Sequence, residues 1–484
     1  MKIICTSVKL FFLFSISLCL NAQNKPLYYY QDLSKLSFYK QKDSLKKSWV
    51  CQELYKDKAT QMKYKEIWDG RTDFITSAID ANSFLKDPDI YNYINQVITQ
   101  ITKSNPSLVK QSPLLFIDRS PEVNAYAIGG NILCLNLGLI TFAQSTEEIA
   151  LIIAHELSHN ILNHADNSMK EKATWLTSDE YKNSLNAILD SKYERLTKLK
   201  NIMEGYSFSR SRHSRYHEAD ADSLAIILLK NSNISFDPGF FLRLDSVDNQ
   251  YKQELINPTK KYFISYNVTI EDGWFIKRTK GLSAKNYNFK DTTSLSDSLK
   301  THPDCVERFN KTKSFINLKG SLTPVPKYIK EKAGKILIWN MYDNLNLTAC
   351  LYRILLEKDK GNADPWYDFM IHNIFAGLVY SNKQLNRFNA IGIKPKEYIS
   401  KNYYELQNML EQIPAENLEQ LYKSSALQNF WSVMPAESKD LKTLMTIINF
   451  ETEGSDKKKA NAAKDFINKN PTSMYCEFAE HFKK

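Results

Sequence analysis

The chain has 484 residues, of which 43% are hydrophobic and 24% are charged. This composition is typical of soluble globular proteins, and the length predicts two or three domains rather than one. The formal net charge of +10 is spread over lysine-rich segments, with no basic stripe interleaved with aromatic residues. We therefore expect a protein with a sizeable core and no nucleic-acid partner.

The first 22 residues are typical of a signal peptide. Lysines precede an apolar run from Leu10 to Leu20, and Ala22 offers a cleavage site. The run is too short for a helix that spans a bilayer, which needs about 20 residues. We therefore expect an exported protein, periplasmic or secreted, with no membrane span after signal removal. Peripheral contact with a membrane and lipidation at Cys19 stay open as alternatives.

The next part of the chain predicts helices around two short strands. Residues 23–80 are polar with helical periodicity and predict an N-terminal helical segment. Asp87, followed by a proline, is typical of a helix start, and Leu114 to Ile117 form an apolar run of strand length. Gly129-Gly130 predicts a tight turn into a second extended segment, Ile132 to Leu139.

A longer predicted helix carries the HExxH pattern His155-Glu156-Leu157-Ser158-His159. Ser145 begins a capping box, and apolar residues then recur at helical spacing as far as Ile161. Because positions four apart share a helical face, both imidazoles can reach one metal ion. We therefore predict that His155 and His159 bind one zinc ion per chain and that Glu156 is the general base.

Two histidines leave zinc short of protein ligands, and Glu218 is the candidate for the third. A helix is predicted from near Ser214, with Glu218 and Asp222 one turn apart on it. Glu218 can bind the metal. Asp222 can accept a hydrogen bond from the ring nitrogen of a ligand histidine that does not face the metal, without being a ligand itself.

Two neighbouring histidines are interpreted as lying outside the ligand set. His164 stands five residues past His159 and cannot join unless the helix breaks, so we expect a helix-end or surface position. His217 points away from the side of the helix that carries Glu218.

Five segments, taken in order, form a recognisable pattern. They are Val123 to Ala127 with Gly129-Gly130, Glu148 to His159, Ser214 to Asp222, Asp237-Pro238, and Thr301-His302-Pro303 with Arg308. The pattern resembles the gluzincin zinc metallopeptidases of the CAAX prenyl protease and HtpX group, peptidase family M48, over roughly residues 80 to 312. Since the chain lacks their membrane helices, it is more similar to the exported soluble branch, which includes periplasmic beta-barrel assembly-enhancing proteases.

The resemblance and the periodicity together predict a mainly α-helical protein. We expect a gluzincin-type zincin domain with active-site helices and a small β-sheet at residues 81–320, followed by a helical C-terminal domain at 321–484. Ala462 and Phe466, followed by Asn470, resemble half of a tetratricopeptide hairpin. A degenerate repeat array and an irregular helical domain are the two alternatives, and either offers helices for binding envelope proteins.

The substrate is expected beside the metal helix. The segment Gly130, Asn131, Ile132 and Leu133 is the predicted substrate-binding edge, which holds an unfolded peptide by strand addition. An ordinary buried strand is the alternative.

His302 and Arg308 are further candidates for catalysis, with three alternatives. His302 caps a helix that begins near Pro303, or a lid loop brings it to the open zinc position and keeps the enzyme latent. In the third alternative, His302 or Arg308 donates to the oxyanion.

These observations predict a zinc-dependent endopeptidase. Zinc activates water while Glu156 takes its proton, and the expected substrates are unfolded or misassembled exported proteins. The alternatives are a chaperone-like or scaffold-like quality-control factor with occasional cleavage, and a secreted processing peptidase with one substrate.

Overall fold

The computed structural model describes residues 27–30, 37–191, 194–195, 216–244, 251–276, 305–450 and 455–484. The predicted signal peptide, Cys19, Ser214 and His302 lie outside these residues. The described part of the chain is mainly helical with one small sheet, as predicted.

The elements of the first half surround the metal-binding sequence. Its helices are α1 (Ser37–Ser48), α2 (Lys58–Asp80), α3 (Pro88–Ser104), α4 (Leu137–Phe142), α5 (Thr146–Ile161), α6 (His164–Thr177), α7 (Asp179–Leu189), α8 (216–231) and α9 (Gly239–Leu244). Its strands are β1 (Phe84–Leu85), β2 (Leu114–Asp118), β3 (Ala125–Ala127) and β4 (Ile132–Asn136).

The elements of the second half are helical. They are α10 (Cys305–Thr312), α11 (Lys327–Asp343), α12 (Leu347–Asp359), α13 (Pro365–Lys383), α14 (Arg387–Ile391), α15 (Lys401–Gln412), α16 (Ala415–Ser425), α17 (Ala436–Phe450), α18 (Ser455–Lys469) and α19 (Cys476–Glu480). Short 3-10 helices occur at Thr259–Tyr266, Asp272–Phe275, Lys313–Phe315, Lys396–Tyr398 and Asn429–Ser432.

The sheet has the strand order β1-β2-β4-β3. Strand β4 is parallel to β2 and antiparallel to β3, and all five of its residues are buried. Among the residues that the structure describes, β3 has one strand neighbour and is therefore an edge strand of the sheet. The second extended segment is shorter than predicted, because Asn136 ends β4 and α4 begins at Leu137.

A turn of three consecutive residues with positive φ connects β3 to β4. Gly129, Gly130 and Asn131 have φ values of 81°, 59° and 59°, a region that glycine and asparagine tolerate best. A Cβ atom on Gly130 would also collide with the ring of Trp49 from the N-terminal segment. The predicted tight turn is therefore enforced both by backbone conformation and by packing.

The largest hydrophobic cluster runs from the sheet into the C-terminal helices without interruption. Helix α11 packs against α4, and the Lys332 ammonium lies 2.7 Å from Asp87 and 2.8 Å from Asp89 at the start of α3. The boundary near residue 320 and the repeat alternative stay predictions. Among the described helices, none has both the length and the apolar character that crossing a bilayer requires.

Candidate metal centre

Helix α5 is fixed at its N-terminus before it reaches the metal-binding sequence. The Ser145 hydroxyl accepts a hydrogen bond from the Glu148 backbone N–H, as the predicted capping box requires. The buried Glu148 carboxylate accepts from the Gln144 backbone N–H and pairs with Arg243 on α9. These contacts anchor the helix against the core and set the position of the histidines two to three turns later.

Helices α5 and α8 bring the three predicted ligands together. His155 Nε2 lies 3.0 Å from His159 Nε2 and 3.3 Å from Glu218 Oε2, and His159 Nε2 lies 3.4 Å from Glu218 Oε1. Zinc bonds of 2.0–2.2 Å in a tetrahedral arrangement place ligand atoms about 3.3 Å apart. The two nitrogens and the carboxylate therefore fit one face of a zinc site, and they form a candidate metal cluster of the described residues.

The outer nitrogen of His155 is held by a buried carboxylate. His155 Nδ1 lies 2.9 Å from Asp222 Oδ1, one turn after Glu218 on α8. Arg308 on α10 donates to both oxygens of Asp222, from Nε at 2.9 Å and from Nη2 at 2.6 Å. Asp222 can therefore accept a proton from His155 Nδ1, which would leave the lone pair of Nε2 available to a metal.

The charges around His155 favour a cation between them. Burial and the charge of Arg308 would lower the pKa of His155, but hydrogen bonds to Asp222 and Glu218 raise it to about 9. Burial would raise the pKa of Asp222, yet the bonds from His155 and Arg308 lower it to about 2.

His164 lies closer to the metal site than the sequence indicated. Helix α5 ends at Ile161, and Asn163 in the left-handed region, with φ of 55°, turns the chain into α6. His164 Nδ1 consequently lies 2.8 Å from His159 Nδ1, and its ring is only 8% exposed. The expected helix-end position is correct, but the residue is buried against a ligand rather than on the surface.

His217 belongs to the same group of rings. Its ring stacks on that of His164, with centroids 4.2 Å apart and planes inclined by 12°. Burial, together with the neighbouring His159 and His217, lowers the pKa of His164 to about 4. His164 is therefore neutral near pH 7 and can accept a proton donated by His159.

A cleft of about 430 Å³ opens in front of the ligands, and Glu156 lines it together with His159 and Glu218. One wall is the segment 124–128, which contains edge strand β3. Residues of α6 form another part of the wall, and Ile67 and Arg71 of α2 also line the cleft. Glu156 is only 3% exposed, and the space it borders is that of the cleft.

Arg71 connects the N-terminal segment to this cleft. Its guanidinium lies between the rings of Trp49 and Trp68, at 4.3 Å and 4.0 Å from their centroids, an arrangement that favours a cation. Its Nη1 donates to Asp166 on α6 at 2.7 Å. Residues 37–80 therefore form part of the wall of the site, a role that the sequence analysis did not predict.

The segment predicted to bind substrate lies in a buried central strand and in the turn before it. Ile132 and Leu133 are fully buried, and β4 has a strand on each side, so no edge is open to a peptide there. Gly130 and Asn131 lie in the turn that precedes it. The open edge beside α5 is β3, whose three residues were too few to give a periodic signal in the sequence.

Arg308 does not line the cleft. It is 4% exposed, contacts Asp222 on the far side of His155, and stacks at 4.3 Å on the ring of Phe241. The structure therefore favours a positioning role through Asp222 over donation to an oxyanion. The alternatives for His302 lie outside the described residues.

Comparison with known proteins agrees with this geometry. Residues 86–316 match the model of Peptidase family M48. The chain is 28% identical over 164 residues to the "Putative beta-barrel assembly-enhancing protease" of Vibrio cholerae, over 33% of this chain and 34% of that relative. It is 24% identical over 159 residues to the beta-barrel assembly-enhancing protease of Escherichia coli K12, over 32% and 31% of the two chains.

The chain thus spans about a third of the length of the curated relatives it matches. The family match contains the HExxH helix α5, the Glu218 helix α8 and Arg308. The matched stretch includes every residue that forms the ligand cluster, so the candidate metal centre lies within the part of the chain that is similar to Peptidase family M48.

Proposed function

We propose that the protein is a zinc-dependent endopeptidase with His155, His159 and Glu218 as the ligands of one zinc ion. The proposal rests on the spacing of their ligand atoms, 3.0 to 3.4 Å, beside a cleft that Glu156 lines. These distances suit zinc, and the site has carboxylate and imidazole partners for both outer histidine nitrogens.

A bound zinc ion would supply Lewis-acid activation of water and of the peptide carbonyl. Glu156 takes the proton of the attacking water and returns it to the leaving amine, as a buried carboxylate within the cleft can do. Asp222 and His164 hold the two ligand rings in orientation, while Arg308 holds Asp222.

We further propose that β3 binds the substrate main chain. Its open edge lies along α5 and lines the cleft, so an extended peptide can add to the sheet next to Glu156. Strand addition recognises backbone more than side chains, which suits unfolded polypeptides.

The proposed substrates are unfolded or misassembled proteins of the cell envelope, and the protein itself is proposed to be exported. The short apolar run at Leu10 to Leu20 supports export, and the matched relatives carry names that refer to beta-barrel assembly. The C-terminal helices are the proposed surface for envelope partners.

Metal analysis and a Glu156→Gln variant test this function. We expect close to one zinc per chain after loosely bound ions are removed, with zinc retained and cleavage of an unfolded protein lost in Glu156→Gln. His159→Ala and Glu218→Ala should lose both zinc and cleavage, because each removes a ligand. A well-folded protein without zinc would contradict the site. A Glu156→Gln variant that keeps the full biological effect would instead support the scaffold alternative.

A further inference from the structure

The part of the cleft wall that α6 forms carries an unbalanced positive charge. Helix α6 presents Ala165, Ser168, Met169 and Lys172 to the cleft, at the spacing of one helical face. Lys172 is half-buried, and it has no ion pair within the part of the chain that the structure describes.

The other charges of the cleft are compensated. Among the described residues, Glu156 and Glu218 are the acidic side chains that line it, and a bound divalent ion would offset both charges. The charge of Arg71 is paired with Asp166 at 2.7 Å. Lys172 is consequently the lining charge without an opposite partner, and in a partly desolvated cleft such a charge acts on whatever the substrate presents.

We propose that Lys172 is a specificity-determining residue that gives the peptidase a preference for an acidic side chain in its substrate. This inference rests on the proposed peptidase function and concerns which peptides the same site prefers. A glutamate or aspartate opposite Lys172 gains an ion pair, whereas a lysine there meets a like charge.

The position of that acidic residue follows from the helix. His164, next to the ligand His159, precedes Lys172 by eight positions on α6, which corresponds to about 12 Å along the axis. An extended peptide covers this length in three to four residues. The preferred acidic side chain therefore lies about three to four residues from the cleaved bond.

A set of quenched fluorescent peptides tests the preference. The peptides share one unfolded sequence and carry Glu, Gln or Lys at each of four positions on either side of the bond. The zinc-loaded wild-type protein gives kcat/KM, and the zinc-loaded Glu156→Gln variant gives Kd for the same peptides without cleavage. We expect Glu to be favoured over Gln by about three- to fivefold at one position in both measurements, the size of a partly exposed ion pair. The preference should shrink in about 1 M salt.

Variants at position 172 identify the source of the preference. Lys172→Met should bring the ratio of Glu to Gln peptides to about 1, Lys172→Glu should favour the Lys peptides, and Lys172→Arg should keep the wild-type order. Lys170→Glu is the matched control, because it lies on the same helix, changes the net charge equally and does not line the cleft. It should leave the preference unchanged.

Two results would overturn the inference. One is a wild-type protein that treats the Glu, Gln and Lys peptides alike in both measurements. The other is a folded Lys172→Met variant, as judged by circular dichroism, that keeps the full preference. A zinc-loaded wild-type protein that cleaves no peptide, while Glu156→Gln binds acidic peptides through Lys172, would refute the peptidase function and leave the binding preference in place.

Discussion

Asp222 and His164 hold the two ligand rings by chemically different means. Asp222 is a carboxylate that also receives two bonds from Arg308, whereas His164 is a neutral imidazole stacked on His217. A carboxylate makes the ligand ring more basic as well as fixing its direction. We therefore expect the contact with Asp222 to contribute more to metal affinity than the contact with His164.

Asp222→Asn should weaken zinc binding by about 10–100-fold, the usual effect of losing an outer carboxylate partner of a ligand histidine. The amide keeps the shape and one acceptor oxygen but removes the negative charge beside His155. Competition with a chromophoric zinc chelator measures the dissociation constant.

Glu148→Gln is the matched control for this variant. Glu148 is also a buried carboxylate paired with an arginine, and it lies on α5 itself, at the end remote from the ligands. This variant should lose stability but keep the zinc affinity of the wild type. Equal zinc affinities for the Asp222→Asn variant and the wild type would mean that Asp222 does not support the metal.

His164→Phe should weaken zinc binding by about tenfold, toward the lower end of outer-partner effects. Since His159 must offer the lone pair of Nε2 to a metal, its proton is on Nδ1 and is donated to His164 Nδ1 at 2.8 Å. Phenylalanine keeps a ring to stack on His217 but accepts no hydrogen bond.

His164→Asn places an oxygen near the position of Nδ1 and should recover most of the zinc affinity. Zinc dissociation constants and melting temperatures of both variants separate positioning from general destabilisation. Wild-type affinity in a His164→Phe variant of normal stability would contradict this role.

At the scale of the elements, the metal helices could be predicted and their neighbours could not. The HExxH spacing and the pair Glu218 and Asp222 are local patterns, because their geometry follows from a helix of fixed pitch. Strand β3 escaped prediction because a three-residue strand has no measurable alternation. Its position at the edge depends on pairing with β4, which no local pattern encodes.

The end of α5 did leave a signal in the sequence. The sequence analysis followed this helix as far as Ile161 and kept His164 out of the ligand set unless the helix breaks. Asparagine is one of the few residue types that adopt the left-handed conformation readily. Asn163, directly before His164, is therefore compatible with a break in the helix there. Given that break, the proximity of His164 to His159 follows.

Helices α13 and α16 enclose His372, whose pKa in the folded protein differs from its pKa in the unfolded chain. His372 is fully buried, its Nδ1 lies 2.8 Å from the Ser425 hydroxyl, and its ring packs on Tyr422 and Trp431. Burial, followed by the charge of Lys442, lowers the pKa of His372 to about 3. The histidine is therefore neutral in the folded protein at pH values well above 3.

Because of His372, the folded protein should become less stable relative to the unfolded chain as the pH falls. The pKa is about 6.5 in the unfolded chain and about 3 in the folded protein, so below pH 6.5 the unfolded state binds the extra proton. The stabilisation present above pH 6.5 should fall by about 2 kcal/mol on going to pH 5. His372→Phe keeps the ring packing and should remove this part of the pH dependence of the unfolding free energy, measured with urea at both pH values.

His481 is the control, because its contribution to stability depends on pH in the opposite direction. Its hydrogen bond to Asp343 raises the pKa of His481, so its contribution is present at low pH and is lost as the pH rises. His481→Phe should therefore not flatten the acid loss of stability. Identical pH profiles for His372→Phe and the wild type would show that His372 does not titrate on unfolding.

At the scale of the whole molecule, the peptidase fold and the C-terminal helices share one core. The sequence analysis placed a boundary near residue 320 from the family resemblance and from helical periodicity. Contacts between residues more than 300 positions apart cross that boundary, and such pairs leave no trace in a single sequence. The strongest of them joins Arg119, directly after β2, to Glu477 on α19.

This ion pair is buried and bidentate. Arg119 donates from Nη1 at 2.8 Å and from Nη2 at 2.6 Å to the two oxygens of Glu477, and Nη2 also donates to the Tyr28 hydroxyl at 2.8 Å. The Arg119 carbonyl accepts from Asn340 on α11. Through Tyr28 and Glu477, Arg119 thus connects the sheet that contains β3 to both ends of the described chain.

Glu477→Leu should destabilise the protein by about 3–5 kcal/mol, because it leaves the charge of Arg119 buried without a partner. Arg119→Met should destabilise the protein by a similar amount, because it leaves the carboxylate of Glu477 buried without a partner. The double variant should be less destabilised than the sum of the two, since replacing both members of a buried pair by apolar residues is often close to neutral. Urea unfolding of the four proteins gives the coupling energy directly.

The opposite outcome is that the two substitutions are additive and that each lowers the free energy of unfolding by less than about 1 kcal/mol. The ion pair would then not hold the C-terminal helices to the sheet, and the apolar core alone would hold the two parts of the chain together.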